Sequence, residues 1–316
     1  MKHGLTPGDH QPVLLNEAVA GLNIQQDGLY VDATFGRGGH SQQILSLLAD
    51  QGQLIAIDKD PEAVVVGHQL AEKDSRFRIW HGSYCEIVNC LAELKVDRAV
   101  NGILLDLGLS SPQLDSPARG FSFMNDGPLD MRFDPGKGIP ASAWLAQIDE
   151  EALAKILREY GDERFSGRIA RVLIAQAKGQ GIATTAQLAS LIEEVVPRRE
   201  KHKHPATRTF QAIRIALNQE LEDLKRFLQV LLDVLEIGGR MVVISFQSIE
   251  DRLVKQFVRL NYRGPGEDFP RGLPVITQPF LPQVKPVGKI IRPGEEELGN
   301  NPRARSAVMR IAEKLR

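Results

Sequence analysis

Val31-Asp32-Ala33-Thr34-Phe35-Gly36-Arg37-Gly38-Gly39-His40-Ser41 is the stretch whose reading decides the fold. An apolar run, Leu29-Tyr30-Val31, enters it, and an amphipathic run from Gln42 to Leu48 leaves it. That pattern predicts strand, glycine-rich turn and helix. Glycines at 36, 38 and 39 permit positive φ and let a ligand approach bare backbone. The helix that follows brings unpaired N–H groups and the positive end of its dipole. A turn of this kind cradles a nucleotide-like ligand, or it is only a tight turn.

Working outward, Gln53-Leu54-Ile55-Ala56-Ile57-Asp58 reads as a second buried strand ending on a carboxylate, and Pro61 starts a helix over 62–70. Arg76–His81 alternates as a third strand before Gly82-Ser83-Tyr84, and a helix is expected over 85–94. Gly102-Ile103-Leu104-Leu105-Asp106 is a fourth strand. Apolar strands alternating with helices predict a parallel α/β sheet. The rhythm then stops. Residues 107–139 form a Gly/Pro/Ser/Asp-rich loop too long to be a mere connection. Helices are expected over Trp144–Tyr160, Arg164–Ala177, Thr185–Val196 and Thr209–Leu235. The rhythm resumes with Gly238-Gly239-Arg240-Met241-Val242-Val243-Ile244-Ser245-Phe246 as a fifth strand. A helix over 249–260 is expected to open with Ser248 and Asp251 in capping-box spacing. The stretch 263–302 reads as irregular, and 306–312 as a strand able to close the sheet edge.

The chain has 316 residues and a net charge of −1, so no global basic field advertises nucleic acid; such a partner must be held by a local patch. Two cysteines, Cys85 and Cys90, give neither a disulfide framework nor a zinc site. The seven histidines show no metal-binding spacing, so no metal is expected. Met1–Gln11 is polar and no 18-residue apolar run occurs, so the expected location is the cytoplasm.

Open parallel sheets bind ligands beyond the carboxyl ends of their strands. Here those ends carry Asp32 and the glycine turn, Asp58, Tyr84, Asp106 and Ser245-Phe246-Gln247. Asp58 lies about 20 residues beyond the turn, the spacing of an acid that holds ribose hydroxyls. A dinucleotide turn would have glycine where Ser41 stands. The preceding carboxylate, Asp32, favours S-adenosylmethionine, whose ammonium and sulfonium want a nearby anion. His40 is either a cofactor contact or simply a histidine at a helix start. Asp106, Ser110 and Ser111 lie where a methyltransferase acting on an exocyclic amine needs acceptors for the amine protons. The alternative for Ser110-Ser111-Pro112 is a turn without chemistry. Phe121 and Phe123 either stack on a base or anchor their loop. Basic residues Arg198, Arg199, Lys201, Lys203 and Arg208 cluster in one loop. Arg164, Arg168 and Arg171 are expected on one helix face. Both sets suit phosphate contacts or a solvated surface.

With these residues assembled, the sequence resembles the RsmH (MraW) family of bacterial 16S rRNA cytosine-N4 methyltransferases. The matching motifs are His10–Leu15, Asp32–His40, Leu104–Gly108 with Ser110–Gln113, Gly127–Arg132, His204–Gln211 and Asn301–Ser306. The resemblance implies a class I (Rossmann-like) methyltransferase with a mostly parallel sheet and a helical substrate-recognition domain inserted after the fourth strand. The expected division is a core over 1–115 and 213–316 with the insertion over 116–212. It also implies S-adenosylmethionine as cofactor, contacted by Gly38, Gly39, His40, Asp58, Tyr84, Asp106 and Gln113. The implied substrate is a decoding-region cytidine of 16S rRNA in the small ribosomal subunit. Two departures stand out. Tyr84 replaces a frequent Phe, and Gln247 replaces the usual His in Ser-Phe-His-Ser-Leu-Glu-Asp-Arg. Gln247 cannot take up a proton near pH 7, so it either orients or marks lost activity. The rival readings are a catalytically silent rRNA-binding assembly factor and a DNA amino-methyltransferase.

Overall fold

The computed structural model describes residues 12–196, 204–264 and 280–316. They fall into two compact units, Met1–Gly108 with Asp223–Arg316, and Leu109–Glu222. In chain order the first unit opens with α1 (Leu15–Leu22), β1 (Leu29–Asp32), α2 (Gly39–Leu45), β2 (Gln53–Asp58) and α3 (Pro61–Ala71). It continues with β3 (Phe77–His81), α4 (Ile87–Glu93) and β4 (Val100–Asp106). The second unit holds α5 (Ser111–Asp115), α6 (Ala141–Gln147), α7 (Glu150–Gly161), α8 (Ser166–Gly179), α9 (Thr185–Val195) and α10 (Thr207–Leu217). The chain returns through α11 (Glu220–Val234) to β5 (Leu235–Ser245), α12 (Ser248–Arg263), β6 (Val284–Pro286), α13 (Glu295–Asn300) and β7 (Val308–Lys314).

The seven strands form one sheet in the order β3-β2-β1-β4-β5-β7-β6. β1 to β5 run parallel, and β7 is antiparallel to both its neighbours. The period-two alternation of strand side chains sorts the core into two layers. Tyr30, Leu54, Ala56, Leu104, Val242 and Ile244 face α1, α2 and α3. Val31, Ile55, Ile57, Ile103, Leu105 and Val243 face α4, α11 and α12. Burial on both faces is why the central strands read as continuous apolar runs.

Residue 308 onward does not close the sheet edge, as the sequence led us to expect, but lies between β5 and β6. The edge strand is β6, from a segment that reads as irregular because it is three residues long and contains Pro286. Arg310 ties β7 to α12 through both nitrogens of a fork on Asp251, at 2.6 and 3.0 Å.

Among its described residues, the regular elements of the second unit are helices, with an isolated bridge between Pro128 and Thr184. Its core gathers Leu129, Met131, Leu145, Leu153, Leu157, Ile169, Leu173, Leu188, Ile192 and Ile213. Two expected helices are each split. Asp149 interrupts 144–160 by capping α7, its carboxylate accepting from Ala152 N at 2.7 Å. Asn218 and Gln219 interrupt 209–235. Gln219 has φ 55°, and the Asn218 side chain is drawn off to Phe133 N and Met131 O. Among the described residues, no helix is long and apolar enough to cross a membrane.

Candidate cofactor and substrate site

The parallel strands direct their carboxyl ends, Asp32, Asp58, His81, Asp106 and Ser245, to one edge of the sheet. The connections after β1 and β4 leave in opposite directions along the sheet, so the crevice of an open α/β sheet opens between these two strands. The glycine turn sits there. Gly36 and Gly38 have φ of 57° and 78°, the left-handed region that glycine tolerates. At Gly39 the constraint is space, since a Cβ would stand 2.2 Å from Pro12 Cγ. The bare backbone at 39 therefore serves the close approach of Pro12.

The turn is locked by the acids around it. Asp32 is buried; its Oδ2 accepts from Ser41 Oγ at 2.6 Å and its Oδ1 from Thr34 N at 3.3 Å. Serine at 41 thus holds the strand-end carboxylate onto the start of α2. Burial pushes Asp32 up to about 6, against the pull of those two bonds. Asp58 receives Gly36 N on Oδ2 at 2.7 Å and Asp60 N on Oδ1 at 2.8 Å. Burial pushes it to about 6 as well, with Asp60 and Asp32 adding in the same direction. Each Asp58 oxygen keeps a second lone pair for a hydroxyl.

Asp106 is different. Its backbone N is fixed by Thr34 Oγ1 at 2.7 Å, but its buried Oδ1 has no hydrogen-bond partner. The side chain as a whole is 24% exposed, so the carboxyl has one closed side and one open side. Its pKa is driven well above the ordinary carboxylate range, by burial first and then by the charges of Asp32, Glu250 and Glu297. His40 approaches with Nδ1 3.8 Å from Asp106 Oδ2, while its Nε2 meets Val13 O at 3.3 Å. Burial lowers His40 to about 4, so the ring is neutral at pH 7 and supplies no countercharge. Negative groups thus converge on an orphaned carboxylate oxygen. Such an arrangement is costly unless a positive ligand completes it.

Tyr84 opens a short 3₁₀ turn after β3 and packs edge-on against Phe227 at 5.6 Å between ring centres. The turn is pinned from α11, where the buried Asp223 Oδ2 accepts from Ser83 Oγ at 2.6 Å and pairs with Lys59 Nζ at 2.5 Å. One carboxylate therefore fixes the residue after Asp58 and the residue before Tyr84. No pattern in the sequence signals this tie, because its three members lie on separate elements.

In the second unit, Ser110 stands at the N-cap of α5 and Ser111 is its first helical residue. Gln113 is buried, and its Oε1 accepts from Ser110 N at 2.9 Å, the reciprocal bond of a capping box. Phe121 is buried and stacks on Phe133 at 5.6 Å, with the Arg119 guanidinium 5.7 Å from its ring. Phe123 packs on His204 at 4.4 Å and on Phe210 at 4.9 Å. Both phenylalanines anchor their loop. Arg208 lies on α10. Arg198, Arg199, Lys201 and Lys203 lie outside the described residues. α8 begins at Ser166, so Arg164 precedes it, and only Arg168 and Arg171 share the exposed helix surface. Arg171 pairs with Glu150 at 3.3 Å.

Two acids near Asp106 went unnoticed in the sequence. Glu250 is buried and accepts from Phe246 N and Gln247 N at 3.0 Å each. The capping box of α12 is thus Gln247 with Glu250, one residue earlier than the Ser248–Asp251 expectation. The signal, a polar residue with an acid three places on, is present at both registers, but only Gln247 has Glu there. Glu297 belongs to α13, in the stretch read as irregular.

Among the described residues there is no metal-binding cluster of His, Cys, Asp and Glu. The donor set instead fits an organic cation bearing a ribose: acids at the ends of β1, β2 and β4, an aromatic after β3 and a glycine turn. Sheet order and site together define a class I methyltransferase. Within that class, the model of the MraW methylase family matches residues 8–315, and the chain belongs to this family. It is an enzyme whose methyl donor is S-adenosylmethionine. A similar protein, ribosomal RNA small subunit methyltransferase H of Hydrogenovibrio crunogenus, is 51% identical over 313 residues, covering 97% of each chain. Two solved structures are similar at lower identity. An rRNA methylase from Streptococcus thermophilus has 11% identity and a TM-score of 0.37, covering 95% of this chain and 93% of the other. An S-adenosylmethionine-dependent O-methyltransferase from Thermotoga maritima has 10% identity and a TM-score of 0.40, covering 98% and 69%.

Proposed function

We propose that this protein methylates 16S rRNA of the small ribosomal subunit, at the exocyclic N4 of a decoding-region cytidine (position 1402 in ribosomal numbering). The observation that carries the reading is Asp106, a carboxylate at the end of β4 with one buried, unpartnered oxygen and one open side. The close similarity to a small-subunit rRNA methyltransferase supports the substrate class. S-adenosylmethionine, when bound, supplies an electrophilic methyl group.

The chain's own residues do the rest. Asp58 would accept from the cofactor's ribose hydroxyls, Tyr84 would stack on its adenine, and Gly38, Gly39 and His40 would hold it at the turn. Gln113 serves the cofactor through the segment whose N-cap it fixes. The amine nitrogen of cytosine is conjugated into its ring and is a weak nucleophile. Acceptors that take its N–H groups localise the lone pair and aim it at the methyl carbon. Asp106 is the primary acceptor, with the hydroxyls of Ser110 and Ser111 a few residues further along the chain as additional ones. The bound cofactor would supply the methyl group to this nitrogen, giving up its sulfur–methyl bond, and the amine proton would leave to water. A base inside a paired helix could not meet these acceptors, so the cytidine is presented unstacked or single-stranded. Arg168, Arg171, Arg208 and the basic loop Arg198, Arg199, Lys201 and Lys203 contact phosphates.

The test is transfer of labelled methyl from S-adenosylmethionine to undermethylated small subunits, followed by mass spectrometry of the nucleosides. N4-methylated cytidine is expected. Label on DNA instead, or tight rRNA binding with no transfer, overturns the reading.

A further inference from the structure

A hydrogen bond joins residues 283 apart, from Leu14 N to Glu297 Oε1 at 2.8 Å. Leu14 is fully buried yet has φ 53° and ψ 34°, a left-handed conformation that a branched leucine adopts only when its surroundings enforce it. In that conformation its carbonyl starts α1 by accepting from Ala18 N at 2.8 Å, while its N–H points away to Glu297. The two residues before it touch the glycine turn. Pro12 fills the space over Gly39, and Val13 O meets His40 Nε2 at 3.3 Å. His40 in turn places Nδ1 3.8 Å from Asp106.

We propose that Glu297 is a positioning residue of the cofactor site, holding Pro12-Val13-Leu14 as a strap that fixes Gly39 and His40. The inference rests on the cofactor reading above. α13 owes its own place to neighbours of this strap, since Leu298 packs on the same apolar cluster as Val13, Leu14 and Ile44. The strained Leu14 backbone needs a strong acceptor for its N–H, and an ionised carboxylate makes the stronger hydrogen bond. The same charge raises the cost of ionising Asp106 in the free enzyme. A carboxylate here is therefore consistent with a site completed by a positive ligand. Glu297 reaches His40 through the strap, by way of the Val13 carbonyl, and Asp106 by its charge.

The experiment is calorimetric binding of S-adenosylmethionine and S-adenosylhomocysteine to the full chain, for wild type, Glu297→Ala and Glu297→Gln. Glu297→Ala is expected to weaken both ligands by about tenfold, one decade being about 1.4 kcal/mol. Glu297→Gln, which keeps an acceptor for Leu14 N, is expected within about threefold of wild type. A purely structural role for α13 would lower the melting temperature of both variants without this split. Should Glu297→Ala fail to fold, Glu297→Asp, one methylene too short to reach, is expected to show the same loss. Wild-type affinity in Glu297→Ala, or equal losses in Ala and Gln, overturns the strap while leaving the cofactor reading intact. A wild-type protein that binds neither compound overturns both.

Discussion

The two units hold their functional groups in opposite ways. In the first, Asp32, Asp58 and Asp106 sit at strand ends with buried oxygens, and backbone N–H groups fix the first two. In the second, Arg168 and Arg171 are exposed on α8, whose buried face joins the same apolar core as Phe121. A small charged cofactor is recognised by a few desolvated groups, each of large effect. A phosphate backbone is recognised by many solvated charges, each of small effect. Substitutions should therefore divide between the units by size of effect and by what they change.

The largest effect is expected at Asp106. Asp106→Ala should lower kcat for methyl transfer by about 100-fold or more, the usual scale for removing a positioned proton acceptor. Asp106→Asn should lose less, because an amide keeps one acceptor oxygen while turning the other into a donor and removing the charge. Labelled-methyl assays on undermethylated subunits measure both. Near-normal rates would break the comparison at its centre. Next is Gly39→Ala, whose Cβ collides with Pro12. The strap must shift, and cofactor affinity should fall on the order of tenfold, with overpacking costing about 1–3 kcal/mol of stability. Calorimetry and thermal melting separate the two.

A third effect is a pH dependence peculiar to the first unit. Asp32 and Asp58 are raised to about 6 in the ligand-free protein. A cationic ligand favours their ionised forms, and so does hydroxyl donation to Asp58. Binding should then release protons and tighten as pH rises through 6. Calorimetry in buffers of different ionisation heat detects the protons. An affinity flat from pH 5 to 7.5 would remove the electrostatic account of the site. For the free protein, the sign of stability follows from the same shifts. The contribution of the two raised carboxyls is present below their ordinary value of 3.8 and lost as pH rises through 6. That of His40, lowered to about 4, is present above 6.5 and lost as pH falls through 4.

The contrast also explains what could be read in advance. β1, β2, β4 and β5 are legible because apolar runs end on Asp32, Asp58, Asp106 and Ser245, and buried parallel strands carry no other pattern. The helical character of the insertion is legible from its periodicity. The break at Asn218 is not, since its side chain bonds to Phe133 and Met131 far off in sequence, whereas the break at Asp149 is a local cap on Ala152 N. At the site, Asp32 reads as an anion for the cofactor and Ser41 as a departure from a dinucleotide turn, yet their first partners are each other. Gln113 and Ser110 likewise meet in a cap. Glu297 and Asp223 were out of reach because their partners are 283 and 140 residues away. Sequence motifs mark where chemistry-bearing residues stand, whereas long-range bonds decide what holds them.

Effects in the second unit should be smaller and dependent on salt. Arg168→Ala, Arg171→Ala and Arg208→Ala should each weaken subunit binding by a few fold. Each should reduce the slope of log affinity against log salt by about one for every phosphate it no longer neutralises. Arg171 should show the least, because Glu150 already competes for its guanidinium. Cofactor affinity should not move. A variant that loses cofactor affinity instead would show that the division of labour between the units is false.

The smallest effect is expected at Gln247, although the family usually has histidine there. The backbone N–H groups of Phe246 and Gln247 converge on Glu250, and Gln247 itself caps α12. Its role is then to hold β5 and α12 in register beside Asp106, which glutamine and histidine can both do. Gln247→His should keep methyl transfer within about threefold and change stability by under about 1 kcal/mol, the usual scale of an N-cap exchange. The pH–rate profile is the sharper readout. If Gln247→His raises kcat and adds a limb with a pKa near that of a free imidazole, about 6.5, the position titrates during the reaction. The first unit would then hold a proton acceptor besides Asp106, and glutamine would have cost this protein rate. If the profile is unchanged, the residue at 247 works through the backbone it caps, as the acids of the glycine turn do.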